Sequence, residues 1–218
     1  PDAKVGGGES FNDVKTRTIE EGKRILESAP GNSAVVTHST VLKFLLLWDK
    51  MGRPEDLSKL TPEMYLDVST KPGEMEKVKG ANGDIFFIRH GETDDNADGN
   101  LRTDDTMLTE KGTAQASKVG KQLKDTAISQ VFVSPLPRAV HTTELILQQQ
   151  PKITVDRATW SGARETAGGQ RYGMEKEWHE EKVTATDFFK RREELNRAMR
   201  EKEAQGFIVQ KWNESTWR

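Results

Sequence analysis

Ile85-Phe86-Phe87-Ile88 is an uninterrupted apolar run that stops abruptly at Arg89-His90-Gly91-Glu92-Thr93. A short run of this kind, bounded by a polar turn, reads as a strand buried on both faces. Such strands belong to parallel sheets covered by helices, and ligands there bind beyond the carboxyl ends of the strands. One stretch therefore constrains both the fold class and the place for chemistry: it delivers a cation and an imidazole to the rim of a sheet. It reads as the start of a domain, yet it stands in mid-chain.

Two further segments share the pattern. Ala34-Val35-Val36 reads as a buried strand ending at Thr37-His38-Ser39, and Val131-Phe132-Val133 as another. Ser134-Pro135-Leu136-Pro137 turns the latter into a helix running through Leu147, with Pro137 suited to a first helical turn. Ser10 and Asp13 form a capping-box pattern ahead of Phe11, Val14, Thr18 and Ile25, which predicts a helix to about Ala29, stopped by Pro30-Gly31. Val41 to Met51 is apolar nearly all round and predicts a buried helix. Thr109 is placed to cap a helix with Ala116, Val119 and Leu123 on its inner face. Met64, Leu66 and Val68 alternate as an edge strand would, and Thr186 to Glu203 reads as a charged helix with Phe188, Leu195 and Met199 inward. Residues 69–84 are polar, carry Lys71-Pro72-Gly73, Lys79-Gly80 and Asn82-Gly83, and read as a linker. Strands of the buried type alternate with helices, so the expected class is α/β, layered around a mostly parallel sheet.

Bulk properties narrow the function. At 218 residues a single domain is expected. Lys+Arg 33 against Asp+Glu 35 leaves a formal charge of −2, so no global field suggests a nucleic-acid or anionic-membrane partner. The sequence contains no cysteine, which removes disulfides, Cys-ligated zinc and thiol catalysis together. No apolar run is long enough to span a bilayer and the glycine-rich start does not read as a signal peptide, so the default expectation is a cytoplasmic protein.

Polar residues mark three strand ends: Arg89-His90, Ser134 to Arg138, and His38-Ser39. Two histidines and two arginines converging on one pocket suit a phosphate group. Arginine presents a fixed donor fork that matches phosphate oxygens. An imidazole can attack phosphorus to form phosphohistidine, while surrounding cations stabilise the transferring group. A carboxylic acid is then needed to protonate the departing alkoxide.

Arg89-His90-Gly91-Glu92-Thr93 resembles the defining RHGET motif of the histidine phosphatase superfamily, the phosphoglycerate mutase-like proteins. Leu108-Thr109-Glu110-Lys111-Gly112 with Gln115-Ala116 is similar to the family's LTxxGxxQA helix start. Ser134-Pro135-Leu136-Pro137-Arg138-Ala139 with Thr142-Thr143 is similar to its SPLxRAxxT segment, and Gly7-Gly8-Glu9-Ser10 followed by Val35-Val36-Thr37-His38 to its GGES and second-histidine strand. The resemblance implies a three-layer α/β/α sandwich and a metal-independent enzyme without cofactor, acting on a small phosphorylated substrate. His90 would be the nucleophile, Arg89 and Arg138 would bind phosphoryl oxygens, and His38 would be the second histidine. Thr93 and Asn96 match polar positions after the motif, and Glu165 stands where the family places its proton donor, with Glu9 a weaker candidate. Ser39 replaces the glycine that normally follows the second histidine, and Lys43 stands near a common arginine. The oligomeric state is left open, a dimer included.

The order of these motifs departs from the family, in which RHGET comes first and GGES with the second histidine comes last. The chain reads as a circular permutant: residues 1–68 supply the family's C-terminal part, 69–84 join the old termini, and 85–218 supply the N-terminal part. A fragment bridging two tandem copies would show the same order, but each motif occurs once.

Bland readings stand beside these. His141 reads as a solvated or packing residue and His179 as a surface one, since Trp178-His179-Glu180-Glu181 lacks the second histidine of an HExxH site. The glycines at 6–8 are no phosphate loop, because no Gly-Lys-Ser/Thr follows. The leading functional reading is a phosphomonoesterase. A phosphoglycerate-type mutase and a catalytically silent binding relative are the alternatives.

Overall fold

The computed structural model describes residues 9–94, 107–134, 136–150, 154–159 and 179–184. Among the described residues six strands form one sheet: β1 (Ser33–Thr37), β2 (Met75–Lys79), β3 (Asp84–Arg89), β4 (Gln130–Val133), β5 (Thr154–Thr159) and β6 (His179–Thr184), in the spatial order β2-β3-β1-β4-β5-β6. β3, β1, β4 and β5 run parallel, and β2 and β6 close the edges antiparallel. The class expected from the apolar runs, mixed α/β with a mostly parallel sheet, is the class observed.

The helices follow from local sequence. α1 (Phe11–Ser28) opens on a complete capping box: Ser10 Oγ accepts from the Asp13 N–H at 3.1 Å, and Asp13 Oδ2 accepts from the Ser10 N–H at 2.9 Å. α2 (Ser39–Lys50) buries Val41, Leu42, Phe44, Leu45, Leu46, Leu47 and Trp48. α4 (Glu110–Leu123) is capped by Thr109, whose Oγ1 accepts from the Gly112 N–H at 3.0 Å. α5 (Pro137–Leu147) begins with proline at its first position, where the missing N–H has no partner to lose.

Strand alternation divides the core in two. Val35, Ile85, Phe87 and Phe132 pack with Ile19, Ile25 and Leu26 of α1 and with the apolar side chains of α2. Their strand neighbours Ala34, Val36, Phe86, Ile88, Val131 and Val133 pack with Val119 and Leu123 of α4 and with Ala139, Val140 and Ile146 of α5. Every residue of β1 and β4 is buried, which is why those strands read as continuous apolar runs rather than alternating ones.

Two expectations are corrected. Met64 and Leu66 lie not in an edge strand but in α3 (Pro62–Leu66), a single helical turn capped by Thr61 with proline first. The cap and proline at the start outweigh three alternating residues, two of which, Met64 and Leu66, are exposed. Residues 69–84, read as a linker, contain β2, which forms a hairpin with β3 through a turn where the Gly80 N–H donates to Gly83 O at 2.9 Å. Only Val78 of β2 is buried, so this edge strand leaves almost no apolar signal. Thr186 to Glu203 lies outside the described residues. Among those described, no helix is long and apolar enough to cross a membrane.

Ile88 is fully buried between β1 and the α4/α5 layer, whereas Leu66 is 72% exposed. Ile88→Ala should therefore cost about 2–5 kcal/mol in a urea titration. Leu66→Ala should shift the midpoint by no more than about 0.5 kcal/mol equivalent. Equal losses for the two would contradict this packing.

Candidate active site

Parallel pairing places three strand ends side by side. Thr37 is in register with Arg89, and Val36 with both Ile88 and Val133. Main-chain bonds carry the alignment one residue further: the His90 N–H donates to Thr37 O and the Ser134 N–H to Val36 O, each at 3.0 Å. His90, His38 and Ser134 are thereby held in adjacent positions at one edge of the sheet. All three are fully buried, with Arg89, Arg138 and Thr93 nearly so.

His90 is fixed by its own turn. Its Nδ1 lies 2.7 Å from the Gly91 carbonyl oxygen. A carbonyl can only accept, so Nδ1 carries the proton and Nε2 holds the lone pair of the neutral ring. The His38 ring stands 5.1 Å from the His90 ring, tilted by 59°, and its Nε2 is 2.7 Å from Ser134 Oγ. His38 is also the N-cap of α2, but its side chain makes no capping bond and serves Ser134 instead.

Two helices start at this edge, α2 after β1 and α5 after β4, and neither is capped by a side chain. Helix starts carry partial positive charge. Arg138, second residue of α5 and 3% exposed, adds a cation where the helix dipole disfavours one. Helix starts and arginines at the end of a parallel sheet are groups that suit an anion.

The loop after His90 is clamped. The Gly91 N–H donates to Thr142 Oγ1 at 3.0 Å, and the same hydroxyl donates to Arg138 O at 2.8 Å, tying the His90 turn to the first turn of α5. The Glu92 N–H donates to Gln115 Oε1 at 2.9 Å. Gly91 and Gly112 let this turn and the start of α4 meet: a Cβ on Gly91 would lie 2.3 Å from Gly112 O, and one on Gly112 2.1 Å from Glu92 O. Thr93 continues the contact through a bridge to Leu108.

Of the residues expected in the site, His90, Arg89, His38, Arg138 and Thr93 are described and stand at this edge. Glu165 and Asn96 lie outside the described residues. Glu9, the weaker acid candidate, has both carboxylate oxygens engaged by Arg17, at 2.5 Å from Nε and 2.9 Å from Nη2. His179 opens β6, paired in register with Thr159. Ser134, Thr142 and Gln115 were visible only as parts of motifs, because their work depends on partners between 23 and 96 residues away.

Glu92 bonds to Lys111 Nζ at 2.6 Å, which together with Thr109 holds its carboxyl below the ordinary value of 4.5. A depressed carboxyl stabilises the fold above its unfolded pKa and loses that contribution as pH falls through the lower, folded value. Melting temperatures of wild type and Glu92→Gln should therefore differ at neutral pH and converge below pH 4.5, with the gap narrowed by salt because Lys111 is largely exposed. A gap that persists in acid would contradict the ion pair as its source.

Comparison with known proteins agrees with the geometry. Residues 85–207, more than half of the chain, match the model of the histidine phosphatase superfamily (branch 1). The chain is similar to fructose-2,6-bisphosphatase TIGAR B of Danio rerio, with 47% identity over 65 residues, 29% of this chain and 25% of that protein. It is also similar to the 2,3-bisphosphoglycerate-dependent phosphoglycerate mutases of Neisseria meningitidis serogroup C (strain 053442), 34% identical, and Neisseria gonorrhoeae (strain NCCP11945), 33% identical. Each of these matches extends over 103 residues, 45% of either chain. The chain thus spans less than half the length of the curated relatives it matches. No solved structure matches it. Two buried histidines side by side at one sheet edge, with one arginine ending β3 and another following β4, and the matched sequence around them agree: the chain belongs to the histidine phosphatase superfamily.

Proposed function

We propose that this protein is a metal-independent phosphomonoester hydrolase acting through a covalent phosphohistidine on His90. The observation that carries the reading is the 2.7 Å contact of His90 Nδ1 with the Gly91 carbonyl, which leaves Nε2 as the nucleophile. In the first step Nε2 attacks phosphorus, a P–N bond forms, the P–O bond to the alcohol breaks, and the alkoxide takes a proton from an acid. Glu165 is the residue proposed for that proton, since the Glu9 carboxylate is committed to Arg17. In the second step water gives a proton back to that carboxylate and attacks phosphorus, releasing inorganic phosphate and restoring the imidazole. Arg89, Arg138, His38 and the starts of α2 and α5 supply positive charge for the three phosphoryl oxygens, with Thr93 and Asn96 as further polar contacts.

The similarity to a protein named fructose-2,6-bisphosphatase supports hydrolysis of a small phosphorylated substrate. The similarity to phosphoglycerate mutases favours a second reading, in which the phosphoryl group returns from His90 to a bound acceptor. Release of inorganic phosphate in step with substrate loss is expected; exchange between phosphoglycerate isomers without release would overturn it.

The fold is read as the family's three-layer sandwich, with the chain order permuted. Supporting this, the family match begins at Ile85, and β1, which leads into His38, lies between β3 and β4 although it precedes both in sequence. A chain rearranged so that residues 84–218 precede residues 1–80 should fold and keep the activity; loss of folding would overturn the permutation.

His90→Ala should lose turnover by several orders of magnitude and take no acid-labile label, with its melting temperature little changed. Labelling that survives in that variant would remove His90 as the nucleophile. Arg138→Ala should lower kcat/KM for p-nitrophenyl phosphate by about 10²–10³-fold.

A further inference from the structure

Arg89 does not stand alone at the end of its strand. Its Nη1 donates to the carbonyl oxygen of Thr70 at 2.6 Å, and the Thr70 hydroxyl lies 2.7 Å from Ser39 Oγ. Ser39 is the first residue of α2, next to His38. The Thr70 backbone is in turn anchored by the tight turn that follows it. Lys71-Pro72-Gly73-Glu74 closes with the Glu74 N–H donating to Lys71 O at 3.0 Å, with proline second and Gly73 third at φ +69°. That turn grips the main chain of the same strand end. The Gly73 N–H is shared by Arg89 O at 3.2 Å and His90 O at 3.1 Å, and the Arg89 N–H donates to Glu74 O at 3.0 Å.

We infer that Ser39 and Thr70 are positioning residues for the Arg89 guanidinium. The inference rests on the reading of Arg89 as a phosphoryl ligand. An arginine side chain has many rotamers, and its value as a planar fork depends on being held in one. The Thr70 carbonyl takes one arm of the fork in a charge-assisted hydrogen bond, which sets the plane in which the other donors lie. The Ser39–Thr70 hydroxyl pair then refers that carbonyl to the residue beside His38, so the orientation of the cation is indexed to the second histidine. Neither hydroxyl would touch phosphate in this arrangement; both act through Arg89. Where the family carries glycine after its second histidine no such hydroxyl exists, so this device belongs to the present chain.

Inorganic phosphate binding by the full chain, followed by calorimetry, tests this beside kcat and KM for p-nitrophenyl phosphate and the melting temperature. The variants are Ser39→Ala, Thr70→Val, Thr70→Ser, Arg89→Ala and the double variant Thr70→Val/Arg89→Ala. Thr70→Val and Ser39→Ala should each weaken phosphate about five- to tenfold and raise KM in parallel, while Thr70→Ser restores binding. Thr70→Val should add nothing in the Arg89→Ala background, because the two act as a unit. If Arg89→Ala weakens phosphate but the hydroxyl variants do not, or if Thr70→Val weakens it equally in both backgrounds, the positioning role falls and the phosphate site stands. If wild type fails to bind phosphate, or Arg89→Ala leaves binding unchanged, the reading of the site falls and the inference with it. Should Thr70→Val fail to fold, Ser39→Ala decides the question alone, since it removes the same bond from the other side.

Discussion

The parallel register of β3, β1 and β4 is the constraint on which the rest of the site depends. It is maintained beyond the strands by two main-chain bonds, His90 N–H to Thr37 O and Ser134 N–H to Val36 O. A parallel strand cannot slip by one residue without exchanging its two buried faces, and here both faces are packed. The core therefore locks the register, and the register fixes where the two imidazoles and Ser134 emerge. The stability of Val35, Val36, Phe87 and Ile88 in their two cores is in this sense a determinant of site geometry.

Around that edge stand two buried arginines, two buried histidines and the starts of α2 and α5. Clamps on the backbone hold the arrangement: Thr142 joins Gly91 to Arg138, Gln115 holds Glu92, and the turn at Lys71–Glu74 holds Arg89 and His90. Preorganised donors of this kind need no rearrangement as charge develops, which is where catalytic electrostatics gains most of its effect.

Legibility varied with how far each feature's partners lie along the chain. The capping box at Ser10, the cap at Thr109 and Pro137 at a helix start were readable because each is satisfied within three or four residues. The buried strands were readable because burial on both faces leaves a continuous apolar run. β2 is illegible because an edge strand with one buried residue carries no such mark, and α3 because the alternation of Met64, Leu66 and Val68 masks a helix start of threonine followed by proline. Thr70, Gly73, Gln115 and Thr142 gave no sign of their partners. Their bonds connect segments from 16 to 51 residues apart, and only the fold brings these together.

The sequence by itself determined the chemistry available: an arginine and histidine at one strand end, a histidine at a second, an arginine beyond a third, no cysteine, and a set of motifs that names the family. Residue type and local pattern are enough for that, since apolar runs and caps are short-range physics. Only the tertiary structure decided that His90 turns Nδ1 to the Gly91 carbonyl, that His38 turns to Ser134 rather than capping its helix, and that a stretch with the composition of a linker holds the guanidinium of Arg89. The last two depend on hydrogen bonds between groups distant in sequence, and a chain acquires them only when its sheet has closed.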